Sequence, residues 1–289
     1  MTELISLVTD ELTQPVLPEV QAMAEAIAAQ HGATARAVLF YGSCLREARL
    51  DGLMLDFYLI VADYRDAYPA RWMAAANRLI PPNVFPFAHA GLAAKYAVLS
   101  EADFAALNRQ EASTVSVWAR FAQPARLVWA ADEAARRRAI AAVAEAAPTL
   151  FALARPLTES DDPVDIWRTG FARTYRCELR AERTDRSGSI VDADEDRYRR
   201  FGATIPKMTT MTRPAAERRW RSLQRRGKRA SVLRLAKASL TFAGGIDYLA
   251  WKINRHAGTA ITITPWQRRH PILAAIFLVP KLLRQGAVR

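Results

Sequence analysis

Two short stretches hold the residues best suited to chemistry. Val38-Leu39-Phe40-Tyr41 runs into Gly42-Ser43, and Asp56 sits near the start of a second apolar run, Leu55 to Val61. A glycine lets backbone N–H groups approach phosphate oxygens closely, and the following serine adds a hydroxyl donor. A carboxylate inside an apolar run is costly unless it is paired or bound to a cation. Gly42, Ser43 and Asp56 together suit the handling of a polyphosphate, with Asp56 holding Mg²⁺ through oxygen. Residues two apart on a strand share a face, so the natural place for a second metal-binding acid is position 58. Tyr58 stands there, and it is a poor Mg²⁺ ligand. Two plainer readings remain: Gly42-Ser43 as an ordinary turn, and Asp56 as a cap or a salt-bridge partner.

The elements that must position these residues are legible as alternating apolar patterns. Ala35–Tyr41 and Met54–Val61 read as strands, the second apolar enough to be buried on both faces. Ala94–Leu99 and Ala125–Trp129 read as two more. Helices are expected over Pro18–Gln30, Ala70–Leu79 (stopped by Pro81-Pro82) and Ala131–Ala147 (ending at Pro148). Ser100 with Asp103 has the spacing of a capping box opening another helix. Asn83-Val84-Phe85 reads as a loop near the candidate site. The order helix, strand, strand, helix, strand, helix, strand predicts an α/β fold, a small mixed sheet with helices packed on it. Beyond Pro148 the strand signals fade. Asp165–Arg183 and Arg213–Arg229 read as Arg-rich helical stretches, and no internal repeat is visible.

Charge is unevenly spread over the 289 residues. Residues 213–289 hold 17 Lys/Arg against two acids, whereas residues 1–212 hold 24 Lys/Arg against 27 acids. A near-neutral body with a basic tail points to a polyanionic partner, a nucleic acid or an anionic membrane. In the tail, Phe242, Tyr248, Trp251, Trp266 and Phe277 alternate with Leu and Ile beside Lys/Arg, as in interfacial segments. Ile272–Val279 is too short to span a bilayer but suits shallow insertion. A membrane surface is favoured over a nucleic acid, and a core helix with a solvated face is the third alternative. The two cysteines, Cys44 and Cys177, give neither a disulfide framework nor a cysteine zinc site. The four histidines are scattered without metal-ligand spacing. The first residues lack the pattern of a secretory signal, and no uninterrupted apolar run reaches the roughly 18–20 residues a span needs.

The Gly-Ser turn followed by an acid on a strand resembles the core of polymerase-β-type nucleotidyltransferases. A closer resemblance runs through six collinear pieces across residues 38–200. These are Tyr41-Gly42-Ser43, Met54-Leu55-Asp56-Phe57, Val61-Ala62-Asp63, Lys95-Tyr96-Ala97-Val98-Leu99-Ser100, Arg120-Phe121-Ala122-Gln123-Pro124 and Tyr175-x-x-Glu178-Leu179-Arg180. They are similar to the mitochondrial-type phosphatidate cytidylyltransferases (CDP-diacylglycerol synthases) and their bacterial relatives. That family also has an apolar or aromatic residue at the position of Tyr58. This chain departs from the family at Cys44, where a Gly is expected, and at Ala62, where an Asp is expected. Cys44 could narrow the phosphate loop.

The resemblance implies a site of defined composition. Tyr41, Gly42, Ser43 and Lys95 would bind the nucleotide, with Asp56 and Ser43 as catalytic residues. Asp56 would be the chief Mg²⁺ ligand, with Asp63 the first candidate for a second acid and Asp51 and Glu178 as others. Arg180 and Glu178 would meet the substrate phosphate, or else form a solvated charged face. Lys95 has a plainer alternative as a surface lysine at a strand start. The implied reaction joins CTP and phosphatidate to give CDP-diacylglycerol and pyrophosphate, in the cytoplasm at the inner membrane face, with no dedicated nucleic-acid partner. Transfer to RNA or a small molecule, and a non-catalytic membrane- or nucleic-acid-binding member, are the rivals. The expected organisation is a nucleotidyltransferase domain over 1–147, a helical domain over 148–230 and a basic amphipathic tail over 231–289.

Overall fold

A computed structural model describes residues 2–47, 50, 53–177, 190–206, 211–241, 262 and 264–266. Its centre is a five-stranded mixed sheet. The strands are β1 (Ala35–Tyr41), β2 (Met54–Val61), β3 (Asn83–His89), β4 (Leu92–Ser100) and β5 (Ala125–Ala130), in the spatial order β3-β4-β2-β1-β5. β2 lies in the middle, antiparallel to β1 and parallel to β4. Its near-continuous apolar run follows from that place, because helices cover both faces. Four of the five strands match the apolar runs. The fifth, β3, covers the stretch expected as a loop. Pro86 lies within it and pairs with Lys95, and proline is tolerated because β3 is an edge strand.

Two cores flank the sheet. On one face Val38, Phe40, Phe57 and Leu59 pack with Val20, Met23 and Ile27 of α2 (Pro18–His31). On the other, Leu39, Tyr58 and Ile60 pack against α1 (Thr2–Leu12) and the later helices. α1 has no counterpart among the expected elements. In chain order there follow α3 (Ser43–Glu47), α4 (Tyr64–Ala67), α5 (Arg71–Leu79), α6 (Glu101–Leu107) and α7 (Trp118–Phe121). The capping box is real in its serine half, since the Ser100 hydroxyl accepts from the Asp103 N–H at 3.2 Å. α8 (Glu133–Ala144) is capped by Asp132, and α9 (Ala146–Ala154) follows almost without pause. Pro148 therefore sits in the first turn of α9, where its missing N–H costs no intrahelical bond. Residues 133–157 are long and apolar enough to cross a bilayer, but most of that stretch is packed inside the protein.

The remaining helices are α10 (Pro163–Tyr175), α11 (Glu195–Ala203) and α12 (Arg213–Thr241). Trp167, Phe171 and Tyr198 from α10 and α11 join the same core as Leu39 and Tyr58. The expected limit at 147 falls inside α9, and that at 230 falls inside α12. α12 has 29 residues, about 43 Å of helix. It begins against the helical half, where the Trp220 indole N–H donates to the Leu153 carbonyl at 2.8 Å. It ends at the sheet edge, where Arg234 and Lys237 bond the carbonyls of residues 80–82. The start of the expected tail is thus a continuation of a core-packed helix. The rest of it from Phe242 on, including Ile272–Val279, lies outside the described residues apart from 262 and 264–266.

Candidate active site

The site forms at one end of the three central strands. Antiparallel register sets Tyr41 opposite Asp56, and parallel register sets Asp56 beside Lys95. Immediately after Tyr41 the chain turns at Gly42 with φ +99°, a conformation that L side chains rarely adopt. The space matters as well as the angle. A Cβ at position 42 would sit 3.0 Å from Asp56 Oδ2 and 3.4 Å from Asp56 Cβ. Gly42 and Asp56 are therefore in direct contact, which explains why the motif needs a glycine at this point.

Lys95 Nζ lies 2.9 Å from Asp56 Oδ1, and both side chains are less than a third exposed. The two charges are paired by distance but not as a directed hydrogen bond, so Oδ1 is buried with no hydrogen-bond partner. The plainer reading of Asp56 as a salt-bridge partner thus holds. The same orphaned oxygen is also where a cation would bind. Among the described residues no group of three His, Cys, Asp or Glu could hold a metal. One carboxylate fits Mg²⁺ only in the form in which substrate phosphates and waters complete the shell.

Tyr58 is the next residue on the Asp56 face, and it is 2% exposed. Its ring lies 5.3 Å from Tyr41 and 5.2 Å from Phe121, and Phe121 in turn meets Phe104 at 4.9 Å. Position 58 thus belongs to an aromatic core, and a second acid there would be buried among rings. The Arg120 guanidinium lies 6.0 Å from the Tyr41 ring centroid. Burial and the nearby Asp56 carboxylate push the Tyr41 hydroxyl well above the usual phenol range, with Arg120 acting in the opposite direction. Tyr41 stays a neutral hydrogen-bonding group.

Beside this cluster opens a cavity of about 160 Å³, lined among others by Tyr41, Tyr58, Lys95, Arg120, Arg234 and Lys237. Arg120 donates to the Ser116 carbonyl. Arg234 donates to the Pro81 carbonyl at 2.7 Å and the Ser116 hydroxyl at 3.0 Å. Lys237 donates to the Pro82 carbonyl at 2.9 Å and to the Ile80 carbonyl. Burial, then the Arg234 charge, lowers the Lys237 amine from the usual 10.5 to about 7.

The expected site residues fare differently. Tyr41, Gly42, Asp56 and Lys95 come together, and Ser43 opens α3 next to them, exposed. Asp63 does not join them. It lies past the far end of β2, roughly 20 Å along the strand from Asp56. There it caps α4, accepting from the Arg65 N–H at 2.7 Å, and it faces Arg78 at 3.6 Å. Asp63 is therefore a helix cap and not a second ligand to a metal on Asp56. Asp51, Glu178 and Arg180 lie outside the described residues. Cys44 does not narrow the turn, because it is buried in the α2-side core with Sγ 3.6 Å from the Met54 carbonyl. Val84 of the expected loop does line the cavity. Arg234 and Lys237 were hidden in sequence by a stretch in which basic residues recur at almost every turn. Only their spacing of three, which puts both on one helix face, marks them as a pair.

No family profile matches this chain, and no curated protein matches it. Among solved structures, a nucleotidyltransferase-like protein from Exiguobacterium sibiricum is similar over 92% of this chain and 92% of its own, at 11% identity and a TM-score of 0.30. At that level of agreement, the chemistry of the site stands on this chain's own residues: a glycine turn against a carboxylate, a lysine beside it and a cationic cavity next to both.

Proposed function

We propose that this chain is a nucleotidyltransferase that transfers a cytidylyl group from CTP to phosphatidate. The observation that carries nucleotidyl transfer is the contact between Gly42 and Asp56, with Lys95 ion-paired to the same carboxylate. An open backbone turn, a carboxylate and a cation within one side chain's reach are what a triphosphate requires. The lipid acceptor rests on the sequence resemblance and on the excess of basic residues after 213.

In this reading a phosphatidate oxygen attacks the α-phosphorus of CTP. A new P–O bond forms, the bond to the β-phosphate oxygen breaks in line, and pyrophosphate leaves. The acceptor is already an anion, so no side chain needs to remove a proton. That would account for a tyrosine at position 58 in place of a second acid, because the hydroxyl acceptors of related chemistry need activation. Gly42 and Ser43 would offer donors to the triphosphate, Lys95 would pair a phosphate, and Tyr41 would stay neutral beside them. Bound Mg²⁺ would be held by Asp56 and would offset charge on the phosphates. The basic C-terminal segment would hold the enzyme on the anionic inner face of the membrane.

A second reading is a phosphate-binding member without turnover. It is favoured by the Lys95–Asp56 ion pair, which already engages the Asp56 carboxylate. Labelled CTP, Mg²⁺ and phosphatidate vesicles separate the possibilities. Label in the lipid supports the proposal, and label in RNA or a soluble acceptor changes the substrate. Binding without turnover supports the second reading.

A further inference from the structure

We infer that the outward face of α5, together with the adjoining exposed stripe of α12, is a docking surface for an anionic lipid bilayer. The two most exposed large apolar side chains among the described residues both lie on α5, Trp72 at 52% and Leu79 at 81%. With a spacing of seven they share one face, and the exposed Ala75 lies between them. Rotation of the helix cannot hide them, because the opposite face is fixed. Asn77 is buried there, and its Nδ2 donates to the Tyr68 hydroxyl and to the Val98 carbonyl, each at 2.9 Å. Arg71 and Arg78, also seven apart, border the apolar pair and are exposed. Arg78 faces Asp63 at 3.6 Å in a surface pair, so most of the positive charge must come from elsewhere.

α12 supplies that charge. After Glu217 the helix holds no acid. Arg218, Arg225, Arg229 and Leu233 recur at intervals of seven and four, and together they form one exposed stripe. Both stripes end at the same junction. Arg234, next to Leu233, donates to the Pro81 carbonyl, and Lys237 donates to the Pro82 carbonyl, just past Leu79. Pro82 also lines the cavity with Tyr41 and Lys95, so the docking face adjoins the candidate active site. An apolar patch bordered by arginines fits a bilayer better than a nucleic acid. Phosphates of either would meet the guanidinium groups. Only a bilayer also takes up a leucine, and the amphipathic indole of Trp72 suits the headgroup level. The lipid partner is the one that transfer to phosphatidate needs, but α5 lies outside the basic C-terminal segment, and the face itself rests on exposure and charge alone.

The test is vesicle flotation with the full chain, using phosphatidylcholine vesicles with and without phosphatidylglycerol. The parent is expected to bind the anionic vesicles, and to bind the neutral ones about tenfold more weakly or less. Trp72→Ala combined with Leu79→Ser should weaken binding to the anionic vesicles by about tenfold or more. Arg225→Gln combined with Arg229→Gln should weaken it by about tenfold, a difference that high salt removes. Ile5→Ser, at an exposed apolar position on α1, leaves binding unchanged. Thermal melts confirm that each variant folds. Binding unchanged in the α5 double variant, or no binding of anionic vesicles by the parent, overturns the docking face. A parent that binds a labelled RNA, or dimerises, through this face without binding vesicles gives the face to another occupant and overturns the proposal too. The vesicles carry no phosphatidate and no CTP is present, so binding is read apart from turnover. Vesicle binding without turnover of CTP in a separate assay removes nucleotidyl transfer alone. Turnover with vesicle binding unaffected by the α5 variant removes the docking face alone.

Discussion

Replacing Gly42 by alanine perturbs the site through a single methyl group, and the structure separates its two effects. The first is backbone strain. At φ +99° a residue with a side chain costs about 1–3 kcal/mol relative to glycine. The second is the contact itself, since the new Cβ would lie 3.0 Å from Asp56 Oδ2, so that the carboxylate must shift by a few tenths of an ångström. Gly91, in the turn between β3 and β4, provides the control. Its φ is +80°, and a Cβ there meets nothing within 4 Å. Gly91→Ala therefore carries the strain alone. Both variants should lose roughly 2–12 °C in Tm. Only Gly42→Ala should also lose about tenfold in nucleotidyl transfer, because an ångström of misplacement costs on the order of a hundredfold. Thermal melts and initial rates measured well below either Tm give both numbers. A Gly42→Ala enzyme as active as Gly91→Ala would refute the reasoning that Asp56 acts from its present position.

Three further outcomes follow from the structure. Tyr58→Asp, which restores a paired-acid pattern on paper, should add no activity. It should destabilise the fold by about 3–5 kcal/mol in denaturant melts, since it buries a carboxylate and deletes a ring between Tyr41 and Phe121. Arg197→Met breaks the buried ion pair that joins α11 to Glu11 of α1, with Nη2 to Oε1 at 2.9 Å. It should cost about 3 kcal/mol in the same assay, much of it recovered by adding Glu11→Leu. Lys237 gives a pH dependence. Its amine is shifted from 10.5 to about 7 on folding, so below pH 7 both states hold the proton and the fold bears the full cost of a buried charge. Between 7 and 10.5 only the unfolded chain stays protonated, so the parent should gain stability relative to Lys237→Gln as pH rises through that window. A stability difference that stays flat across the window contradicts the assignment.

Much of the sheet was legible because its strands are buried. β1, β2, β4 and β5 are apolar runs whose limits coincide with, or lie within two residues of, the stretches read from pattern alone. β3 was hidden by Pro86, which the sequence cannot know to lie on an edge. α9 was hidden by Pro148, which reads as a helix end but occupies a helix start. The core of the site was legible for a related reason. Gly42 and Asp56 belong to adjacent strands, so their spacing in sequence translates directly into contact. Lys95 was visible as a candidate, but its pairing with Asp56 depends on parallel register between strands joined by a long crossover. Asp63 misled because sequence proximity to Asp56 along a strand means distance, at about 3.3 Å per residue. Arg234 and Lys237 reach the site only through the length of α12, which no local pattern reveals.

The central claim is that the Gly42–Asp56 cluster transfers a nucleotidyl group. It is tested most directly by acceptor-dependent pyrophosphate release from CTP with Mg²⁺ and phosphatidate vesicles, comparing the parent chain with Asp56→Asn. The account predicts turnover by the parent and its loss in Asp56→Asn, which keeps the shape of the carboxylate but not its charge. Strong turnover by Asp56→Asn, or no turnover by the parent, would contradict it.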